Sequence, residues 1–119
     1  MQRRFRLRDS RDFARLRRGG RTVSAGGVLL SVMPNDLAHN RYGFITGKAL
    51  GNAVVRNRTR RLLREALRQL HPRLKTGLDI VLVARPTLVG KPFSAVQRIL
   101  EELCFQMRIL QEVKGADEG

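Results

Sequence analysis

The segment from Ala53 to Leu70 constrains this chain more than any other. At about 100° per residue, Val55, Thr59, Leu62, Leu63, Ala66, Leu67 and Leu70 fall on one side of a helix. Asn57, Arg60, Arg61, Arg64 and Arg68 gather on the opposite side, with Arg56 and Arg58 on the flanks. Asn52 is placed to cap this helix, and His71-Pro72 ends it, because proline disfavours αR in the residue before it. Its apolar stripe needs a sheet or helix to cover it. Its other face carries six arginines and one acid, Glu65. Arg56, Arg60, Arg64 and Arg68 form a ladder of like charges four apart, each step unfavourable by about 0.2–0.5 kcal/mol. A face shaped only by solvation would mix signs, so this one is read as binding a polyanion.

The remaining pattern supplies the partners for that stripe. Asp9-Ser10 caps a short helix that runs to about Arg18 and stops at Gly19-Gly20, with Phe13 and Leu16 three apart on one face. Val28 to Met33 reads as a strand closed by Pro34-Asn35-Asp36, and Arg41 to Thr46 as a second. Ile80 to Ala84 is a continuous apolar strand, covered on both faces. Pro92-Phe93-Ser94 opens a last helix with Ser94 and Gln97 as a capping-box pair and Phe93 as a staple. Val96, Ile99, Leu100, Leu103, Met107 and Leu110 form its core stripe. These elements make one α+β domain over residues 1–119, with flexible ends expected at 1–8 and 114–119.

Charge narrows the function. The net charge is +14, and 20 of the 24 cations are arginine, whose planar fork suits phosphate. Residues 1–75 hold 19 Lys/Arg against four acids, whereas residues 76–119 hold five against six. The first two-thirds therefore carry the partner surface. A membrane is disfavoured, because the apolar face of the arginine helix is needed by the sheet. No apolar run approaches the ~20 residues of a membrane span. The lone Cys104 permits no internal disulfide, as befits a cytoplasmic protein, and is read as a small buried apolar residue. Asp9, Asp12, Asp36, Glu65 and Asp79 are scattered, so neither a metal site nor a catalytic residue is expected in the protein itself. The loop Gly47-Lys48-Ala49-Leu50-Gly51-Asn52 offers backbone N–H groups to a phosphate but is no Walker pattern.

Lys48-Ala49-Leu50-Gly51-Asn52-Ala53-Val54-Val55-Arg56-Asn57-Arg58-Thr59-Arg60-Arg61-Leu62-Leu63-Arg64-Glu65 resembles the signature of the bacterial ribonuclease P protein family. Arg6-Leu7-Arg8 with Asp12-Phe13, Arg41-Tyr42-Gly43-Phe44 and Asp79 to Pro86 extend the likeness over roughly residues 4–110. The resemblance implies an α/β sandwich with a central mixed sheet of about four strands, one more than the pattern alone gives. It makes the arginine helix a crossover, with helices packed on the sheet. It implies a subunit that is inactive alone and assists a catalytic RNA, itself using Mg²⁺, in removing the 5′ leader of precursor tRNA. No cofactor or small-molecule substrate is expected for the protein.

Carried over by position, Lys48, Arg56, Asn57, Arg58, Arg60, Arg61, Arg64 and Arg68 become the candidates that face the catalytic RNA. Phe13, Arg17, Ser31 and Phe44 become candidates for a leader cleft between the first helix and the sheet. Phe13 reads either as a stacking platform or as plain core. Arg17 and Ser31 stand where the family often places aromatics, and Ala49 where a second basic residue is usual. The leader would thus be gripped more by charge than by stacking. The rival reading is a ribosomal or ribosome-assembly protein, equally small and basic.

Overall fold

A computed structural model describes Leu7 and residues 10–111. The expected flexible ends and the Asp9-Ser10 cap lie, Leu7 apart, in or beside the segments outside the described residues. Helix α1 (Ser10–Gly19) leads into strands β1 (Arg21–Ala25), β2 (Val28–Pro34) and β3 (Arg41–Thr46). A 3₁₀ turn at Lys48–Leu50 precedes helix α2 (Ala53–Leu70). Strand β4 (Leu78–Ala84), a second turn at Pro86–Leu88 and helix α3 (Phe93–Met107) complete the fold.

The sheet order is β1-β2-β4-β3. β4 pairs antiparallel with β2 and parallel with β3, so the sheet is mixed and β4 is interior. Parallel neighbours need a crossover, and α2 is that crossover. Strand alternation gives the sheet two different faces. Val28, Leu30 and Val32 of β2, Tyr42 of β3, and Ile80 and Leu82 of β4 point to one face. There they meet Leu63, Leu67 and Leu70 of α2 and Val96, Leu100 and Leu103 of α3. On the other face Val81 packs with Leu16 of α1 and with Leu7, and Phe13, Met33, Ile45 and Val83 lie against them. Cys104 is buried in the larger core, where burial pushes its thiol up to about 12.

The strand absent from the sequence reading is β1. Its register with β2 runs from Arg21↔Val32 to Ala25↔Val28 across a Gly26-Gly27 turn. Both glycines have positive φ, 60° and 94°, as a two-residue hairpin requires. The capping box at α3 does not form. The helix starts one residue before Ser94, and the N-cap is Pro92, without a side-chain cap bond. Pro92 holds an extended ψ of 160°, and its carbonyl accepts from the N–H groups of Ala95 and Val96. Gln97 instead donates to Gln69 of α2. His71, which closes α2, places Nδ1 2.6 Å from the Tyr42 hydroxyl.

Candidate nucleic-acid interface

Asn52 fixes where α2 begins: its side chain accepts from the Val55 N–H at 3.0 Å. Leu63 and Leu67 are fully buried, and Thr59 turns its hydroxyl back to the Val55 carbonyl at 2.9 Å. The arginines then divide into two groups. Arg58, Arg61 and Arg68 are exposed, as are Asn57 and Lys48. Arg56, Arg60 and Arg64 are half-buried. Arg60 donates to the Thr46 hydroxyl at 2.6 Å and to Asn57 at 3.1 Å. The Arg64 guanidinium lies 5.8 Å from the centroid of the Phe44 ring, a cation–π distance. Arg56 buries its Nε without a partner among the described residues.

Arg60 and Arg64 were expected to point away from the fold. The structure corrects this, because β3 lies close enough for both to rest on it. Arg58 and Arg61 reach solvent with no hydrogen-bond or ion-pair partner among the described residues. The lone acid is taken: Glu65 accepts from Arg68 Nε at 3.0 Å, and that bond with the Arg68 charge holds its carboxyl below the usual range. The face therefore presents nearly uncompensated positive charge.

The face under α1 is built differently. Thr22, Ser31, Val81 and Gly43 stand in register across all four strands. Phe13 lies directly on this row; a Cβ at Gly43 would fall 2.5 Å from its ring. Ser31 is buried and shares a 3.0 Å hydrogen bond with Thr22. The next row is Ser24, Leu29, Val83 and Ile45, and it is only half-covered. Leu29, Val83 and Ile45 of this row form a half-exposed apolar strip on the α1 face, where the candidate cleft was expected, and the sequence reading missed it. Stepping two residues along each strand from Gly43, Val81 and Ser31 would have found it.

Phe44 does not belong to that cleft. It is one residue from Gly43, so the pleat turns it to the α2 face, where it packs on the larger core beneath Arg64. Arg17 lies on α1; its side-chain placement is outside the described residues. Of the four cleft candidates, the structure brings Phe13 and Ser31 to one face and sends Phe44 to the other.

What pins α1 to the sheet is Asp79. It is fully buried at the start of β4 and accepts from Arg15 Nη2 at 2.6 Å. It also accepts from Arg41 at 2.9 and 2.7 Å and from Asn35 at 3.0 Å. Burial pushes its carboxyl up, but bonds from Arg41 and Asn35 and the charges of Arg41 and Arg15 outweigh that, so the net shift is downward. Asp12 of α1 adds longer contacts to Arg15 and Arg41, 3.7 and 3.8 Å. Asp79 is thus committed to arginine, and no group of three or more His, Cys, Asp or Glu placed to hold a metal occurs among the described residues.

A family model described as Ribonuclease P matches residues 1–108. The chain belongs to the ribonuclease P protein family. It is 43% identical over 120 residues to the ribonuclease P protein component of Roseiflexus sp. (strain RS-1), covering 100% of this chain and 96% of that one. To the same component of Chloroflexus aggregans it is 45% identical over 109 residues, covering 87% and 81%. Its fold is similar to the RNase P protein of Staphylococcus aureus, with TM-score 0.81, 27% identity, and 90% and 98% of the chains covered. The RNase P protein of Thermotoga maritima gives TM-score 0.76 at 27% identity, covering 82% and 93%. Membership makes the chain an RNA-binding subunit of a tRNA-processing ribonucleoprotein and sets aside the ribosomal reading. No helix among the described residues is long and apolar enough to cross a membrane.

Proposed function

We propose that this protein assists a catalytic RNA in the cytoplasm by holding two RNAs on two faces. The exposed arginines of α2, with Lys48 and Asn57, contact the catalytic RNA. The strip beside Phe13, under α1, receives the 5′ leader of precursor tRNA. The hydrolysis belongs to the RNA, which uses Mg²⁺; the protein alone is inactive. The observation that supports this reading is the state of the α2 surface: Arg58 and Arg61 are exposed without partners among the described residues, and Glu65 is occupied by Arg68.

Such a surface lowers the repulsion between substrate and catalytic RNA. Each phosphate that an arginine neutralises also releases counterions, which favours binding at low salt. The protein should therefore reduce the Mg²⁺ that the RNA needs, mainly by strengthening precursor binding. The test is single-turnover cleavage of precursor tRNA across a Mg²⁺ titration, with and without protein. A lowered requirement is expected. An unchanged one, or cleavage by rigorously RNA-free protein, overturns the division of roles.

A further inference from the structure

Between the N-terminal half of α2 and the turn after β4 lies a cavity of about 190 Å³. Val55, Leu62, Leu88 and Val96 form its apolar floor. Arg58 and Lys91 stand on its rim with Val89, which is 38% exposed. Val54, one turn before Arg58, is 66% exposed, so apolar surface continues outward beside the same arginine. Arg58 has no partner among the described residues. Lys91 donates one ammonium hydrogen to the Gly26 carbonyl at 2.8 Å and keeps two.

An apolar floor beside two rim cations asks for a ligand that is flat and apolar at one end and anionic a few ångströms away. A nucleotide has that chemistry. No acid lines this cavity, whereas two other grooves beside α3 carry Glu101 or Glu102. The cavity also adjoins the arginine face, since Arg58 is three residues from Arg61 on the same helix. Its volume equals on the order of six waters, which suits one heterocycle and not a folded peptide. We propose that it receives a single unstacked base of the partner RNA, with the adjoining phosphates on Arg58 and Lys91. The proposal rests on α2 being the RNA-binding face. Thr59, the hydroxyl residue on the lining, spends its proton on the Val55 carbonyl. The base is therefore taken by shape, with little preference for its identity.

The test uses the full chain and a bacterial ribonuclease P RNA transcript. Val89→Glu places a carboxylate on the rim. Thr87→Glu adds the same charge to the same turn but faces the Gly26-Gly27 hairpin, and Arg61→Glu reports on the α2 face. Val89→Glu should weaken binding about tenfold or more, the scale of one lost base contact. Thr87→Glu should stay within about twofold, as expected for screened charge. Equal losses at 87 and 89, or a normal Val89→Glu beside a weakened Arg61→Glu, overturn the proposal. If Arg61→Glu also binds normally, the RNA-face reading fails and takes this one with it. A photoreactive phenylalanine analogue at position 89 gives a second readout that needs no loss of binding. It should cross-link to one unpaired nucleotide; no cross-link, or one within a paired helix, overturns the proposal.

Discussion

The two faces of the sheet are held by different physics. Under α2 and α3, twenty buried residues form one apolar cluster among the described residues. Under α1 there are three, Leu7, Leu16 and Val81, and the rest of the attachment is the charge cluster at Asp79. Apolar burial does not titrate and is not screened by salt, whereas an ion cluster with part-exposed arginines is sensitive to both pH and salt. The larger core lets α2 carry like charges on its outer side without losing the fold. The smaller one holds α1 with fewer buried apolar contacts. A region with few buried apolar contacts is also the region expected to open first.

The largest effect is expected in the larger core. Leu63→Ala should lower global stability by about 2–5 kcal/mol, because Leu63 is fully buried in that cluster. Urea denaturation checks this, and a change under about 1 kcal/mol would mean the core is not where the fold is held. Asp79→Asn should cost less, about 1–3 kcal/mol, since Arg15 and Arg41 can rehydrate. Its signature is local: amide exchange should rise in α1 and stay slow in α2. Equal acceleration in both helices would dissolve the distinction between the faces.

Acid provides a finer test. The Asp79 carboxyl is held below its ordinary value in the fold. Its contribution is therefore complete above the unfolded carboxylate pKa of about 3.9 and is lost as pH falls through the lower folded value. Exchange in α1 should accelerate below about pH 4 while the α2–α3 side stays protected, and in Asp79→Asn this step should vanish. A step near neutral pH, or one that persists in the variant, would assign the attachment to other groups.

What the sequence made legible follows from distance along the chain. α2 was readable to the residue because its cap, stripe and proline stop are all local. β3 was readable for the same reason. β1 was not, because Arg-Thr-Val-Ser-Ala buries only part of one side, and its Gly26-Gly27 turn signal was passed over. Asp79 looked like one scattered acid because its partners Arg41, Asn35 and Arg15 lie 38, 44 and 64 residues away. Phe44 was carried into the cleft by position from the family resemblance, yet the pleat decides its face, and only the register with Leu82 shows which. The helical wheel gave the angles of Arg60 and Arg64 but not the nearness of Thr46 and Phe44.

The central claim is that the two faces bind different RNAs, and one binding matrix tests it directly. Parent, Arg61→Glu and Phe13→Ala proteins are titrated at fixed salt with catalytic RNA alone. Each holoenzyme is then titrated with precursor and mature tRNA. Arg61, exposed and without a partner among the described residues, should weaken catalytic-RNA binding on reversal without moving the melting temperature or the precursor-to-mature ratio. Phe13→Ala should leave catalytic-RNA binding intact and reduce that ratio by about tenfold, the loss of one stacked base. If both variants weaken both interactions in the same proportion, the faces are not separate and the account is wrong.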